Sequence, residues 1–320
     1  MVVLELYYKG AEQLMESLVP TVIQALHYRL QEAGSAGLSR VLLTYKGRPS
    51  AADNPSDCAA LRAVLPPTVA VSAVWSAKNA YVGSGKSARG AHATREDATF
   101  ERFAEYNRSL EAAGCSSILV VSGAGAKKTL DSCETLHRAA HMAPPPLPLG
   151  AVFNPHIGGS LDPCGGEPER EQEWQRLRQK LRSGACAQVW IAFGADVAAL
   201  EFGLQRLQKE LAESPADCVQ PHLLGSVFVP CKAWIAKMRF RCWNGTYLGD
   251  KDAPGAYLSS VESAASITRQ TLALFARHGV EPVIESSVRT AREVDEVVTM
   301  LVDSAALSEG QSGLRDCALR

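Results

Sequence analysis

The sequence has no C-x-x-C pair, no H-E-x-x-H stretch, and no apolar run near the ~20 residues of a membrane span. Its nine cysteines (Cys58, Cys115, Cys133, Cys164, Cys186, Cys218, Cys231, Cys242 and Cys317) are odd in number and scattered. That pattern excludes a zinc ribbon and argues against a secreted disulfide scaffold. Net charge is nearly absent too: 33 Lys+Arg stand against 34 Asp+Glu. A dedicated nucleic-acid binder would carry a basic excess. No basic region precedes the opening Met1-Val-Val-Leu-Glu-Leu-Tyr-Tyr, which reads as a strand and not as a signal or transit peptide. Together these absences give the expectation of a cytoplasmic protein in a reducing compartment, with no nucleic-acid, membrane or metal partner.

Core material is plentiful. Apolar residues make up 46% and charged residues 21% of 320 residues, which excludes large-scale disorder and suits one large α/β domain. Short β-rich runs alternate with helical periods. Strands are expected at Val2–Tyr7, Arg40–Tyr45, Thr68–Trp75, Ser117–Ser122, Leu149–Phe153, Ala187–Phe193, Leu223–Val229 and Val280–Ser286. A first helix is expected over Ala11–Glu32, with Pro20 kinking it. The cleanest helical stripe is Val197, Leu200, Leu204, Leu207 and Leu211. Further helices are expected over Arg95–Ala113, Glu169–Arg182, Ser259–Arg277 and Ala291–Leu307. Gly279 is placed to end the third of these. Eight strands each followed by helical material predict a (β/α)8 TIM barrel over residues 1–308, with 309–320 as a polar C-terminal tail. A doubly wound open sheet is the alternative. In a barrel, function belongs at the strand C-termini and the loops after them.

Five features invite chemistry. Ala80-Tyr-Val-Gly-Ser-Gly-Lys86-Ser87 loosely matches a phosphate-binding loop, but it does not follow a strand directly and no helical stripe follows it. It reads better as a loop, and the role of residues 76–94 stays open. Lys232, Lys237, Arg239 and Arg241, interleaved with Trp234, Phe240 and Trp243, read as a helix covering the barrel more readily than as an RNA contact. His137 and His141 have helical i,i+4 spacing and read as a solvated helix end. His156 differs, because it follows the fifth strand and stands at the expected barrel mouth. Finally, Glu5 is a charge inside the first strand, where alternation puts Val3, Glu5 and Tyr7 on one face. Inside the barrel, burial would suit its carboxyl to proton transfer; outside, it is a solvated charge.

The chain resembles the methylenetetrahydrofolate reductase family, flavin enzymes built on a (β/α)8 barrel, over about Val2 to Leu301. Val3-Leu-Glu-Leu-Tyr resembles the opening strand, whose glutamate is the general acid and maps to Glu5. Leu43-Thr44-Tyr45 resembles a strand end whose threonine touches flavin. Ser117–Gly125 resembles the fourth strand and its R-G-D turn, mapping Ser122 and Gly123 to cofactor contacts. Gly150-Ala-Val-Phe-Asn-Pro-His156 resembles the segment that wraps the cofactor, mapping Ala151, Phe153 and His156. Glu171–Ala185 resembles the helix that holds the cofactor's phosphates, mapping Glu173, Arg176 and Lys180. Leu224-Gly225-Ser-Val-Phe-Val-Pro resembles the start of the substrate wall, and Trp234 and Arg289 are the expected substrate contacts.

The resemblance implies an FAD-dependent oxidoreductase that reduces 5,10-methylenetetrahydrofolate to 5-methyltetrahydrofolate with NAD(P)H. That is the one-carbon step toward methionine biosynthesis, in a chain that could be a homo-oligomer. Departures accompany it. Ser122 stands for the family's arginine, Ala124 for its aspartate and Ala192 for its substrate-contacting glutamine, and the histidine expected near the end of strand three is missing. These losses keep two alternatives open: a catalytically degenerate barrel serving as a binding or regulatory partner, and a flavin oxidoreductase with another substrate.

Overall fold

The computed structural model describes residues 1–6, 8, 11–44, 54–80, 95–122, 130–162, 165–213, 220–240, 246–248, 255–285 and 288–317. All eight expected strands form, and they pair in parallel and in chain order. They are β1 (Val2–Leu6), β2 (Leu38–Leu43), β3 (Ala70–Ser76), β4 (Ser117–Val121), β5 (Leu149–Phe153), β6 (Cys186–Ile191), β7 (His222–Val227) and β8 (Glu281–Ile284). β1 pairs with both β2 and β8, so the sheet closes. The chain is a (β/α)8 barrel, and the open sheet is excluded.

The helices are α1 (Ala25–Glu32), α2 (Asn54–Val64), α3 (Ala77–Ala80), α4 (Arg95–Ala112), α5 (Ser132–Ala139), α6 (Glu167–Arg182), α7 (Val197–Ala212), α8 (Lys232–Phe240), α9 (Ala256–Ser259), α10 (Val261–Arg277) and α11 (Ala291–Cys317). A π-type stretch, Gln13–Gln24, leads into α1 with Pro20 inside it. The residue lacking an N–H is thus absorbed by a wider helical register, which returns to α at Ala25. At the other end, α11 continues through Cys317, so residues 309–317 are helical. An established helix propagates through glycines such as Gly310 and Gly313 that would not start one. Among the described residues, no helix is long and apolar enough to cross a membrane.

Strand alternation splits the core into two shells. Outward-facing residues such as Leu4, Val41, Val71, Ile118, Ala151, Phe153 and Val189 pack against the helices in the main cluster. Inward-facing Val3, Leu42, Leu119, Trp190, Leu224 and Val283 form a separate plug, with Val74, Val121 and Val152 against it. Gly150 makes room for the plug's indole: a Cβ there would lie 2.5 Å from Trp190 Nε1.

Beneath the plug, at the strand N-termini, is a polar floor. Arg40 donates to Ser117 Oγ at 3.3 Å, the Ser72 and Ser117 hydroxyls lie 2.6 Å apart, and His222 Nε2 is 3.2 Å from Glu281. Burial holds Arg40 below its usual pKa, against the opposing charge of Glu281. Burial would raise the Glu281 carboxyl, but hydrogen bonds from His222 and Ser39 outweigh it and lower its pKa. Catalytic groups of a barrel belong at the opposite end.

Candidate functional site

The mouth is the tier above the plug, and the register places its residues. Glu5 follows Val3 by two and shares its inward face; it is 7% exposed. The inward reading of Glu5 is therefore the correct one. Across β2 it pairs with Leu42, and two residues on Thr44 closes the same rim, its hydroxyl donating to Leu6 O at 2.8 Å. On the other side, Val3 pairs with Val283 and Leu4 with Ile284. Continuing that register sets Glu5 beside Glu285. Ser226, two residues beyond the plug's Leu224, donates its hydroxyl to Glu285 Oε1 in a close contact. The rim thus carries two carboxylates and two hydroxyls above an apolar plug.

Glu285 also lines a cavity of about 320 Å³, together with Trp234, Lys237, Cys231 and Arg289. The two residues expected on the substrate side, Trp234 and Arg289, are therefore brought together next to the mouth. Trp234 projects from α8 and stacks on Phe228 at 4.1 Å and 14°. α8 carries Lys232, Trp234, Lys237, Arg239 and Phe240 of the expected covering helix, Arg241 and Trp243 lie outside the described residues, and Arg239 ties α8 to the Leu258 and Ser259 carbonyls.

The expected cofactor residues divide. Ser122 lies just past β4, its hydroxyl accepting from Ser132 N at 2.9 Å. Gly123, Ala124 and residues 81–94 lie outside the described residues. Ala151 and Phe153 face outward, and Phe153 packs on Trp174 of α6 with ring centroids 4.7 Å apart. β5 turns the side chain of Val152, not those of Ala151 and Phe153, toward the barrel interior. Lys180 is 3% exposed and its ammonium donates to Val152 O at 2.6 Å, which ties α6 to β5. Glu173 accepts from Asn154 N at 3.1 Å. Glu173 and Arg176 do line a common cavity of about 270 Å³ with Asp162, Glu169 and Tyr247.

That second cavity is already supplied with anions. Asp162 accepts from the N–H groups of Gly158 (2.9 Å) and Gly165 (3.0 Å), and Glu169 accepts from Gly166 N at 2.8 Å. These backbone donors, in the loop between β5 and α6, are the kind that would otherwise cradle a phosphate.

His156 is folded beneath this loop and is 1% exposed. Its ring covers Gly194, where a Cβ would approach within 2.4 Å, and it stacks with Tyr247 at 6.4 Å. Burial lowers its pKa to about 4 against the opposing pull of Asp196, so the ring is neutral at pH 7. Nδ1 has no hydrogen-bond partner among the described residues. Asp196, next to it, caps α7 by accepting from Ala199 N and also holds Ser160 through N–H and hydroxyl bonds of 2.8 and 2.6 Å. His137 and His141 meet edge to face at 5.3 Å, and among the described residues no group of three or more His, Cys, Asp or Glu could hold a metal ion.

Glu285 and Ser226 are the residues that sequence reading missed. A signal existed: Glu285 lies inside the expected eighth strand, two residues from Val283, as Glu5 lies two from Val3.

No family model and no curated protein matches the chain. Among solved structures, it is similar to an aldo-keto reductase from Klebsiella pneumoniae in complex with NADPH, at 14% identity and TM-score 0.50, covering 94% of this chain and 84% of that one. It is also similar to a Yersinia pestis DHPS with a pterine-sulfa conjugate, at 12% identity and TM-score 0.46, covering 98% and 93% of the two chains. A dihydrodipicolinate synthase from Agrobacterium tumefaciens matches at 11% identity and TM-score 0.46, covering 96% and 77%. At these identities the likeness shows the barrel fold alone.

Proposed function

We propose that the chain is an FAD-dependent oxidoreductase of the methylenetetrahydrofolate reductase type, reducing 5,10-methylenetetrahydrofolate with NAD(P)H. The observation that carries the reading is Glu5: the residue that the resemblance maps to the general acid faces the barrel interior at the mouth, largely withdrawn from water. Trp234 and Arg289 beside one cavity give it a substrate wall on the same side.

The residues fit the group unevenly. Thr44 at the rim and Ser122 just past β4 are polar groups at the ends of β2 and β4, where a flavin ring would lie, and the Nδ1 of the buried His156 has no partner among the described residues. The loop before α6 offers less to the diphosphate, since Asp162 takes the N–H groups of Gly158 and Gly165, Glu169 takes that of Gly166, and Lys180 is buried. When bound, FAD supplies the hydride chemistry linking the nicotinamide to the methylene carbon. The chain's part is to place the pterin over the plug, exclude water and hold a proton on Glu5. That proton passes from the Glu5 carboxyl to the pterin nitrogen as the methylene bridge opens, and Glu5 is left as the carboxylate.

The test is Glu5→Gln. FAD uptake and its reduction by NAD(P)H are expected to persist, with folate reduction falling by about 10²-fold or more. Unchanged folate turnover would remove Glu5 from the chemistry. A second reading is favoured by the carboxylates around the start of α6: a barrel of the same descent that binds a small molecule or a partner without a dinucleotide. A folded protein that takes up no FAD would establish it over the first.

A further inference from the structure

Building on the reading of Trp234 as part of the substrate wall, we propose that Phe228 is a positioning residue. It fixes the plane in which the Trp234 indole meets the cavity, and so sets how tightly a substrate is held there. The two rings stack with centroids 4.1 Å apart and planes 14° from parallel. Phe228 therefore covers one face of the indole, and turning Trp234 about its side-chain bonds would break the stack. The cavity that Trp234 lines with Glu285 and Arg289 lies beside the mouth.

Phe228 is itself held. It follows β7, is buried, and meets Phe193, which follows β6, edge to face at 4.7 Å and 78°. Phe193 in turn meets Tyr257 of α9 at 5.4 Å and 74°. Phe193 thus stands across both rings, and edge-to-face contacts of this kind fix ring planes as well as positions. The frame closes through the backbone. Arg239 of α8 donates to Leu258 O at 2.6 Å and to Ser259 O at 2.7 Å, tying the helix that carries Trp234 to the helix that carries Tyr257. Phe193, Phe228 and Tyr257 belong to an apolar cluster separate from both the main core and the plug, and Trp234 packs against it while lining the cavity. Phe228 therefore reaches the substrate side through Trp234. A wall holds the substrate before and during the reaction alike, so loosening it raises KM and leaves kcat in place.

The experiment labels the full chain with 5-fluorotryptophan and compares the ¹⁹F NMR spectra and the kinetics of wild type and Phe228→Leu, with Trp234→Phe to assign the Trp234 line. Leucine keeps an apolar side chain and removes the ring. The Trp234 line is expected to shift or broaden in Phe228→Leu, while the lines of the core residues Trp75, Trp174 and Trp190 stay where they are. In the FAD-loaded protein, KM for 5,10-methylenetetrahydrofolate is expected to rise about three- to tenfold with kcat nearly unchanged. A Trp234 line that Phe228→Leu leaves unmoved overturns the proposal, and so does an active variant whose KM is unchanged or whose kcat falls instead. Should Phe228→Leu not fold, Phe193→Leu tests the same frame one ring further out: the Trp234 line must still move, and an unmoved line overturns the proposal. The spectrum needs neither flavin nor folate. A moved line in a folded protein that takes up no FAD would reject the proposed function and keep Phe228 as the residue that positions Trp234. A flavoprotein that turns over folate, with a Trp234 line and a KM indifferent to Phe228→Leu, would do the reverse.

Discussion

At the scale of single residues, His156 shows how burial sets chemistry and stability together. Its folded pKa, about 4, lies below the unfolded value of ~6.5, so the unfolded chain binds the extra proton between those two pH values. Stability attributable to neutral His156 is complete above about pH 6.5 and falls as acid is added, by up to roughly 3 kcal/mol at pH 4. Urea melts from pH 7 to 4 are expected to show a flatter decline for His156→Gln than for wild type; parallel curves would contradict the assignment. Gly150 makes a steric case of the same kind. Gly150→Ala drives a methyl against Trp190 inside the plug and is expected to cost about 1–3 kcal/mol in the same melts. Gly194 is legible only in the structure: the glycine that interrupts Ala192-Phe-Gly-Ala-Asp196 is the floor on which the His156 ring lies.

At the scale of elements, periodicity was a good guide to existence and a poorer one to ends. β5 forms over Leu149–Phe153 as expected, and α7 buries Leu200, Leu204 and Leu207 of its stripe. Asp196 fixes where α7 begins and ties the loop after β5 to it through Ser160. Asp196→Ala is expected to cost about 1–2 kcal/mol and to speed amide exchange at Ser160 and Ala199. Exchange unchanged at both would contradict the capping role. Pro20 marks where the helical ladder changes: the residue without an N–H lies inside the π-type stretch. The same alternation that puts Glu5 inside puts Ala151 and Phe153 outside; a resemblance matches chain positions and carries no face. Lys180 was illegible for another reason: a lysine on a helix reads as solvated until a strand carbonyl, Val152 O, is seen to take its ammonium.

At the scale of the molecule, eight strands closing in chain order create three levels: a charged floor, an apolar plug and a rim of acids and hydroxyls. Glu5 was legible because one strand suffices to give it a face. Its relation to Glu285 was not, because that requires β1 and β8, at opposite ends of the sequence, to close the barrel. The carboxylates around the start of α6 likewise became visible only once loop and helix were folded together. They make cofactor binding the point on which the account turns. The deciding measurement is the visible absorption spectrum of the purified protein, followed by titration with FAD and mass identification of any flavin released by heat. The account predicts a flavin spectrum, or its appearance on adding FAD, with stoichiometric uptake. A folded, colourless protein that takes up no added FAD would contradict it.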